Sequence, residues 1–179
     1  MKKLLLVFSL FYFNYGMTQS LPNFDEIKLE SGIDYKASEP YSLTAANYIL
    51  STPYLKDDLS RLKSLQFIIK WMEGTPDYSF TLDKVTSTVT KGNDDLLGIY
   101  LTCMVKYCLE NTSNSKDEKL VKLGSVKLLL AYRENPSNNI KLTKQLKKLS
   151  GNNHFRLNEN SVFIKLAWEV YNSSVNDQI

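Results

Sequence analysis

Residues 95–110 read DLLGIYLTCMVKYCLE, and the fold turns on that stretch. Leu96, Leu97, Ile99, Tyr100, Leu101, Cys103, Met104, Val105, Tyr107, Cys108 and Leu109 cover most of a helix circumference, leaving a thin polar line through Thr102, Lys106 and Glu110. A helix that is apolar on nearly every side belongs in the middle of a helical domain. Just before it, Gly92-Asn93-Asp94-Asp95 is a chain break followed by a cap. Asn93 or Asp94 can accept the free amide hydrogens there, and the acidic side chains complement the positive helix start.

The same stretch holds both cysteines of the chain, Cys103 and Cys108. On one helix, residues five apart are turned by about 140° and lie about 8–9 Å apart, beyond the roughly 7 Å reach of a disulfide. A metal site would need further ligands, and the single histidine, His154, has no cysteine or carboxylate cluster around it. Apolar surroundings also raise a thiol's pKa and weaken it as a nucleophile. The sequence therefore predicts buried structural thiols, with no metal and no cofactor. An intermolecular disulfide stays open as the alternative.

Working outward, more amphipathic helices appear. Leu55, Leu59, Leu62, Leu65, Ile69 and Met72 recur at steps of three or four, opposite Lys56, Asp57, Asp58, Arg61, Lys63, Ser64 and Lys70, and Gly74 with Pro76 ends the run. The spacing predicts a helix over 55–73 that docks through its leucines. Ser42 reads as a cap for Leu43–Leu50, stopped by Pro53. Residues 79–91 carry strand-favouring Thr and Val, yet Leu82, Val85 and Val89 keep helical spacing and Thr81 can cap. A lone strand would leave its backbone unpaired, so a short helix is expected. Residues 119–134 form the next helix, with Gly124 as a close-approach point and Asn135-Pro136 as its stop. Two more are expected over 139–149 and 159–171, the latter presenting Val162, Phe163, Leu166, Ala167 and Val170.

The amino end changes the setting. Met1-Lys2-Lys3 followed by the apolar run Leu4–Phe13 has the charge and length of a secretory leader, and Gly16 and Thr18 place cleavage after residue 18. That run is shorter than the roughly 20 residues that span a bilayer, so no stable membrane anchor is expected after cleavage. The expected compartment is the periplasm or beyond. Of 22 basic side chains, Lys2 and Lys3 leave with the leader, so 20 face 19 acidic ones. The remaining charge is uneven: residues 116–149 are basic and residues 19–115 acidic.

Two groups of residues are candidates for binding. Lys141, Lys144, Lys147 and Lys148 form a positive stripe that would grip an anionic surface, though lysine is also the usual occupant of a solvated helix face. Aromatic interleaving is missing there, which argues against nucleic acid. Trp71, Tyr78 and Phe80 flank the Gly-Thr-Pro-Asp turn and would offer a partner a rigid aromatic contact; equally, they would close the edge of a core. No catalytic residue is assigned. Asp57-Asp58 and Asp94-Asp95 sit at helix starts, where capping accounts for them, and no phosphate-binding, dinucleotide, zinc-protease or paired-cysteine motif occurs.

TPDYSF, KGNDDLLGIY and NPSNNIKLTKQLKKL resemble segments of uncharacterised exported helical proteins of Bacteroidetes-type Gram-negative bacteria, over roughly residues 40–150. The resemblance implies an exported, mainly helical domain and carries no activity with it. The expected architecture is all-α: a leader (1–18), an irregular arm (19–40) with one short ordered piece around Phe24 to Leu29, one bundle of five to seven helices (41–172) and a frayed tail (173–179). The expected function is non-catalytic binding or protein–protein interaction in the cell envelope, with an envelope protein or a second copy as partner. The alternative is a hydrolase-like enzyme with a shallow polar site.

Overall fold

The protein is seen here as a computed structural model that describes residues 20–138, 140–144 and 146–147. Among these the regular structure is helical throughout, as expected, with no strand. Six α-helices follow in order: α1 (Gly32–Ala37), α2 (Glu39–Ser51), α3 (Leu59–Gly74), α4 (Lys84–Thr90), α5 (Asp94–Glu110) and α6 (Glu118–Glu134). Short 3-10 turns stand at Phe24–Glu26 and Thr112–Asn114. The leader, the helix expected over 159–171, the tail, Lys148 and His154 lie outside the described residues.

Local chemistry sets most of the boundaries. Asp58 Oδ1 accepts from the amides of Ser60 and Arg61 at 2.9 and 3.1 Å, Asn93 Oδ1 accepts from Leu96 at 3.1 Å, and Asp117 Oδ1 accepts from Lys119 and Leu120 at 3.0 and 3.1 Å. Each satisfies backbone donors that the first turn leaves free. Lys91 and Gly92 take positive φ values of 37° and 69°, which turns the chain between α4 and α5.

α5 is the hub, as its sequence predicts: it packs against α6, α2, α3 and α4. Its thin polar line is covered at one end and open at the other, where Glu110 is exposed. Thr102 is fully buried with its hydroxyl donating to the Gly98 carbonyl, and Lys106 reaches Asn47 of α2 and Glu110. Leu96, Ile99, Tyr100, Cys103, Met104 and Cys108 face a core shared with Val126, Leu129 and Leu130 of α6. Val105 faces the other way, into a second core made by Phe24, Ala45, Ala46, Ile49, Phe67, Ile68 and Trp71. The neighbours come close because glycines admit them. A Cβ on Gly98 would lie 2.8 Å from Leu65 Cδ2, and one on Gly124 would lie 2.1 Å from the Tyr107 ring, which bears out the close approach expected at Gly124.

Several elements differ from expectation. The stretch read as an irregular arm holds a helix, α1, fixed by a reciprocal cap in which Ser31 and Asp34 each bond the other's backbone amide; the short ordered piece expected around Phe24 to Leu29 is there as well, with a 3-10 turn at Phe24–Glu26 and with Phe24 and Leu29 buried. α2 begins at Glu39 with Pro40 in its first turn, where a missing amide hydrogen costs nothing. Ser42 is thus inside that helix, its hydroxyl donating to the Ser38 carbonyl, and does not cap it. Residues 84–90 are helical as expected, but Asp83 is the cap, accepting from Thr86 N at 3.2 Å, in place of Thr81. After α6, residues 140–143 are not helical; Thr143 Oγ1 accepts from Leu146 N and opens a helical turn there, later than the expected start at 139.

The largest correction is on α3. Leu55, Leu59, Leu62 and Ile69, expected to dock, are exposed, and the buried face is Arg61, Ser64, Phe67, Ile68 and Trp71. Arg61 explains how a charge sits there. Its Nη2 donates to the carbonyls of Ile49 (2.8 Å), Thr52 (3.0 Å) and Pro53 (3.3 Å), and to Tyr132 Oη (3.1 Å). The guanidinium also lies 5.5 Å from the Tyr54 ring centre and 5.9 Å from that of Tyr132. One side chain thereby satisfies carbonyls where α2 ends and ties α2, α3 and α6 together.

Candidate functional site

The aromatic residues singled out in the sequence do come together. Trp71 is fully buried and its indole N–H donates to the Tyr35 carbonyl at 2.9 Å, which places it in the core and away from any partner. Tyr78 and Phe80 lie half-buried with ring centres 5.6 and 6.1 Å from that of Trp71. The segment after α3 therefore folds back over the end of the second core, and of the three rings Tyr78 also reaches the surface cleft beside it. Lys141, Lys144 and Lys147 are exposed on the segment after α6, and none of them lines that cleft. The carbonyl of Lys141 accepts from Asn93 Nδ2 at 3.3 Å, so its backbone is tied to the start of α5 while its charge faces water.

The cleft lies between residues 76–81 and helices α5 and α6, with a volume of about 400 Å³. Met104 and Val121 give it an apolar floor, and Tyr78 one wall. Asp77, Glu118, Lys116 and Lys122 line it with charges of both signs, and Ser79, Thr81 and Ser115 add hydroxyls. Sequence reading missed this set because its members come from three separated segments, none of them a motif. The one local signal was Glu118 four residues before Lys122, a spacing that pairs charges along a helix.

The charges are largely engaged. Lys122 Nζ bridges Asp83 and Glu118 at 2.6 Å each. Burial works against its charge, but those two carboxylates outweigh burial and hold its pKa above that of an ordinary lysine, so at neutral pH it is a fixed cation and no proton acceptor. Lys36 bridges Glu39 and Asp77 at 3.0 Å each; hydrogen bonds to Glu39 and then Asp77 raise its pKa as well. The Tyr100 hydroxyl is fully buried near Asp83 and Thr86, and burial pushes its pKa well up. Burial likewise raises the half-buried Tyr78 phenol. Such a surface holds polar groups of either sign over an apolar floor.

Both thiols are buried and free. Burial drives the Cys103 pKa far up and that of Cys108 up to about 12, so neither is a thiolate near neutrality. Among the described residues no group of three His, Cys, Asp or Glu side chains is placed to hold a metal ion. No helix among them is long and apolar enough to cross a membrane.

No protein-family model, curated protein or solved structure matches the chain.

Proposed function

We propose that the chain is an exported, non-catalytic binding protein of the cell envelope, and that it holds part of a partner polypeptide in the cleft between residues 76–81, α5 and α6. The observation that carries this reading is the cleft's make-up: an apolar floor at Met104 and Val121 within a rim of opposite charges. A polypeptide supplies both kinds of group at that scale, an apolar side chain for the floor and backbone or charged groups for the rim. Two features support binding without chemistry. The thiols are buried and held protonated, and the rim carboxylates Asp77 and Glu118 are ion-paired to lysines. Export rests on the basic start and apolar run of residues 1–18.

Photo-crosslinking in producing cells tests the cleft. A benzophenone side chain at exposed Ser79 should give one discrete adduct that Tyr78→Ala or Lys116→Glu removes, while the same probe at exposed Lys91 gives none. Equal adducts from both positions, or none from Ser79, overturn the binding reading. The mass of the protein recovered from the envelope checks the other half: retention of residues 1–18 defeats export by cleavage.

A further inference from the structure

α3 carries two apolar faces, and only one of them is buried among the described residues. On the other, Leu59, Leu62 and Ile69 are 64%, 51% and 37% exposed, continued by Leu55 at 62% just before the helix. Single exposed leucines are ordinary, but a file of them beside a groove marks a contact surface. The groove holds about 220 Å³ between α3 and the start of α5, where Leu55, Leu62 and half-buried Leu65 face Gly98 and Ile99.

The order of the apolar residues indicates what fits. Counted from Leu62, Leu59 and Leu65 stand three residues away on either side, and Leu55 and Ile69 seven, so the file reads the same in both directions. A surface of that kind matches itself across a two-fold axis. With the axis at Leu62, α3 of one copy runs antiparallel to α3 of the other, Leu62 beside Leu62, Leu59 beside Leu65 and Leu55 near Ile69. Steps of three, four and seven are also those at which paired helices interlock their side chains. The charges agree with this pairing. The start of the file carries exposed Lys56 and Asp57, and its end carries exposed Lys70 and Glu73. Antiparallel pairing lays one end over the other, so each end presents the other with a charge of either sign.

We propose that two copies of the chain associate through this face, α3 against α3, about a two-fold axis at Leu62. Each copy sets apolar side chains of its file into the groove between α3 and α5 of the other. The face is one helix wide, about 24 Å by 10–12 Å for 16 residues, which is less than the roughly 800 Å² that each partner gives to a standard interface. The pair should therefore come apart on dilution. This does not rest on the cleft beside Tyr78, none of whose lining residues belongs to this face.

Sedimentation velocity of the full chain over about 5–500 µM, the range in which an interface of this size assembles, should show monomer passing to dimer and no further. Leu62→Asp alters an exposed position and leaves both cores intact. It should weaken the association at least about ten-fold with the circular dichroism spectrum unchanged. A monomer at every concentration, whether the groove is bare or filled by another protein, overturns the proposal, as does a Leu62→Asp chain that pairs like the unaltered one. Engineered thiols fix the arrangement, because Cys103 and Cys108 are buried and stay silent. Leu62→Cys alone, and Leu55→Cys together with Ile69→Cys, should oxidise to disulfide-linked dimers. Leu55→Cys alone, distant from its own counterpart, and exposed Ser113→Cys on the turn after α5 should not. Dimers from either of these two, or none from Leu62→Cys, overturn the two-fold arrangement.

Discussion

α5 and α3 are nearly equal in length, 17 and 16 residues, and both are rich in apolar side chains, yet only α5 sits where its sequence places it. On α5 the apolar residues go almost all the way round, so every orientation buries them. On α3 they form two stripes, and only one can face the core at a time. The leucine stripe has the more regular spacing. The winning stripe has the larger rings, Phe67 and Trp71, a small buried residue, Ser64, whose hydroxyl is satisfied by the Ser60 carbonyl, and Arg61 placed to meet the carbonyls where α2 ends. Regularity of spacing shows that a helix is amphipathic; what a face buries, and what it can satisfy, decides which side goes in.

The contrast between the two faces of α3 is open to direct attack. Trp71→Ala should cost about 3–5 kcal/mol in urea unfolding, as for a large core ring removed; a loss below about 1 kcal/mol would mean that the buried face is wrongly assigned. Arg61→Met should cost about 2–4 kcal/mol by stranding buried carbonyls of α2. Arg61→Lys should not restore it, since a point charge cannot span those carbonyls and stack on two tyrosines. Gly98→Ala should cost about 1–3 kcal/mol by driving a methyl group into Leu65, and Leu65→Ala should partly relieve that penalty. Leu59→Ser, on the exposed face, should change stability by less than about 1 kcal/mol.

The smallest expected signal is on α5. Folded protein at pH 8 should react with no Ellman's reagent, and unfolded protein at both cysteines. The same protonation has a linkage consequence. Cys103, Cys108 and the Tyr100 hydroxyl keep protons in the fold that the unfolded chain releases from about pH 9 upward, so stability should be intact below pH 9 and fall as the pH climbs toward 12. A thermal midpoint that is flat across that range would contradict their burial.

These contrasts show what was legible in the sequence. The all-α class, the central helix and a cap at Asn93 or Asp94 were readable because each depends on neighbours in the chain; the core thiols and the close approach at Gly124 were readable because a helix apolar on nearly every side and a glycine inside a helix both call for a packed neighbour, here Tyr107 against Gly124. Arg61 was not, because its partners lie 8 to 12 residues earlier on α2 and the turn after it, and 71 later at Tyr132. The start of α2 was misplaced because Ser42 has the residue type of a cap, whereas the helix begins at Glu39 with no side-chain cap from Ser38 and with Pro40 suited to the first turn. The cleft was invisible for the same reason as Arg61: Tyr78, Met104 and Lys122 meet only once α5, α6 and the loop between α3 and α4 are assembled.

Asn138 joins distant parts of the chain from one buried side chain, accepting from Tyr54 N, 84 residues earlier, while its amide donates to the Tyr132 carbonyl. In a polypeptide delivered residue by residue, the loop at Tyr54 appears long before its clasp. The early half of the molecule must wait, incompletely fastened, for synthesis to run past α6. A nascent chain arrested just short of residue 138 should therefore be more open to proteases around Tyr54 than one released a few residues later.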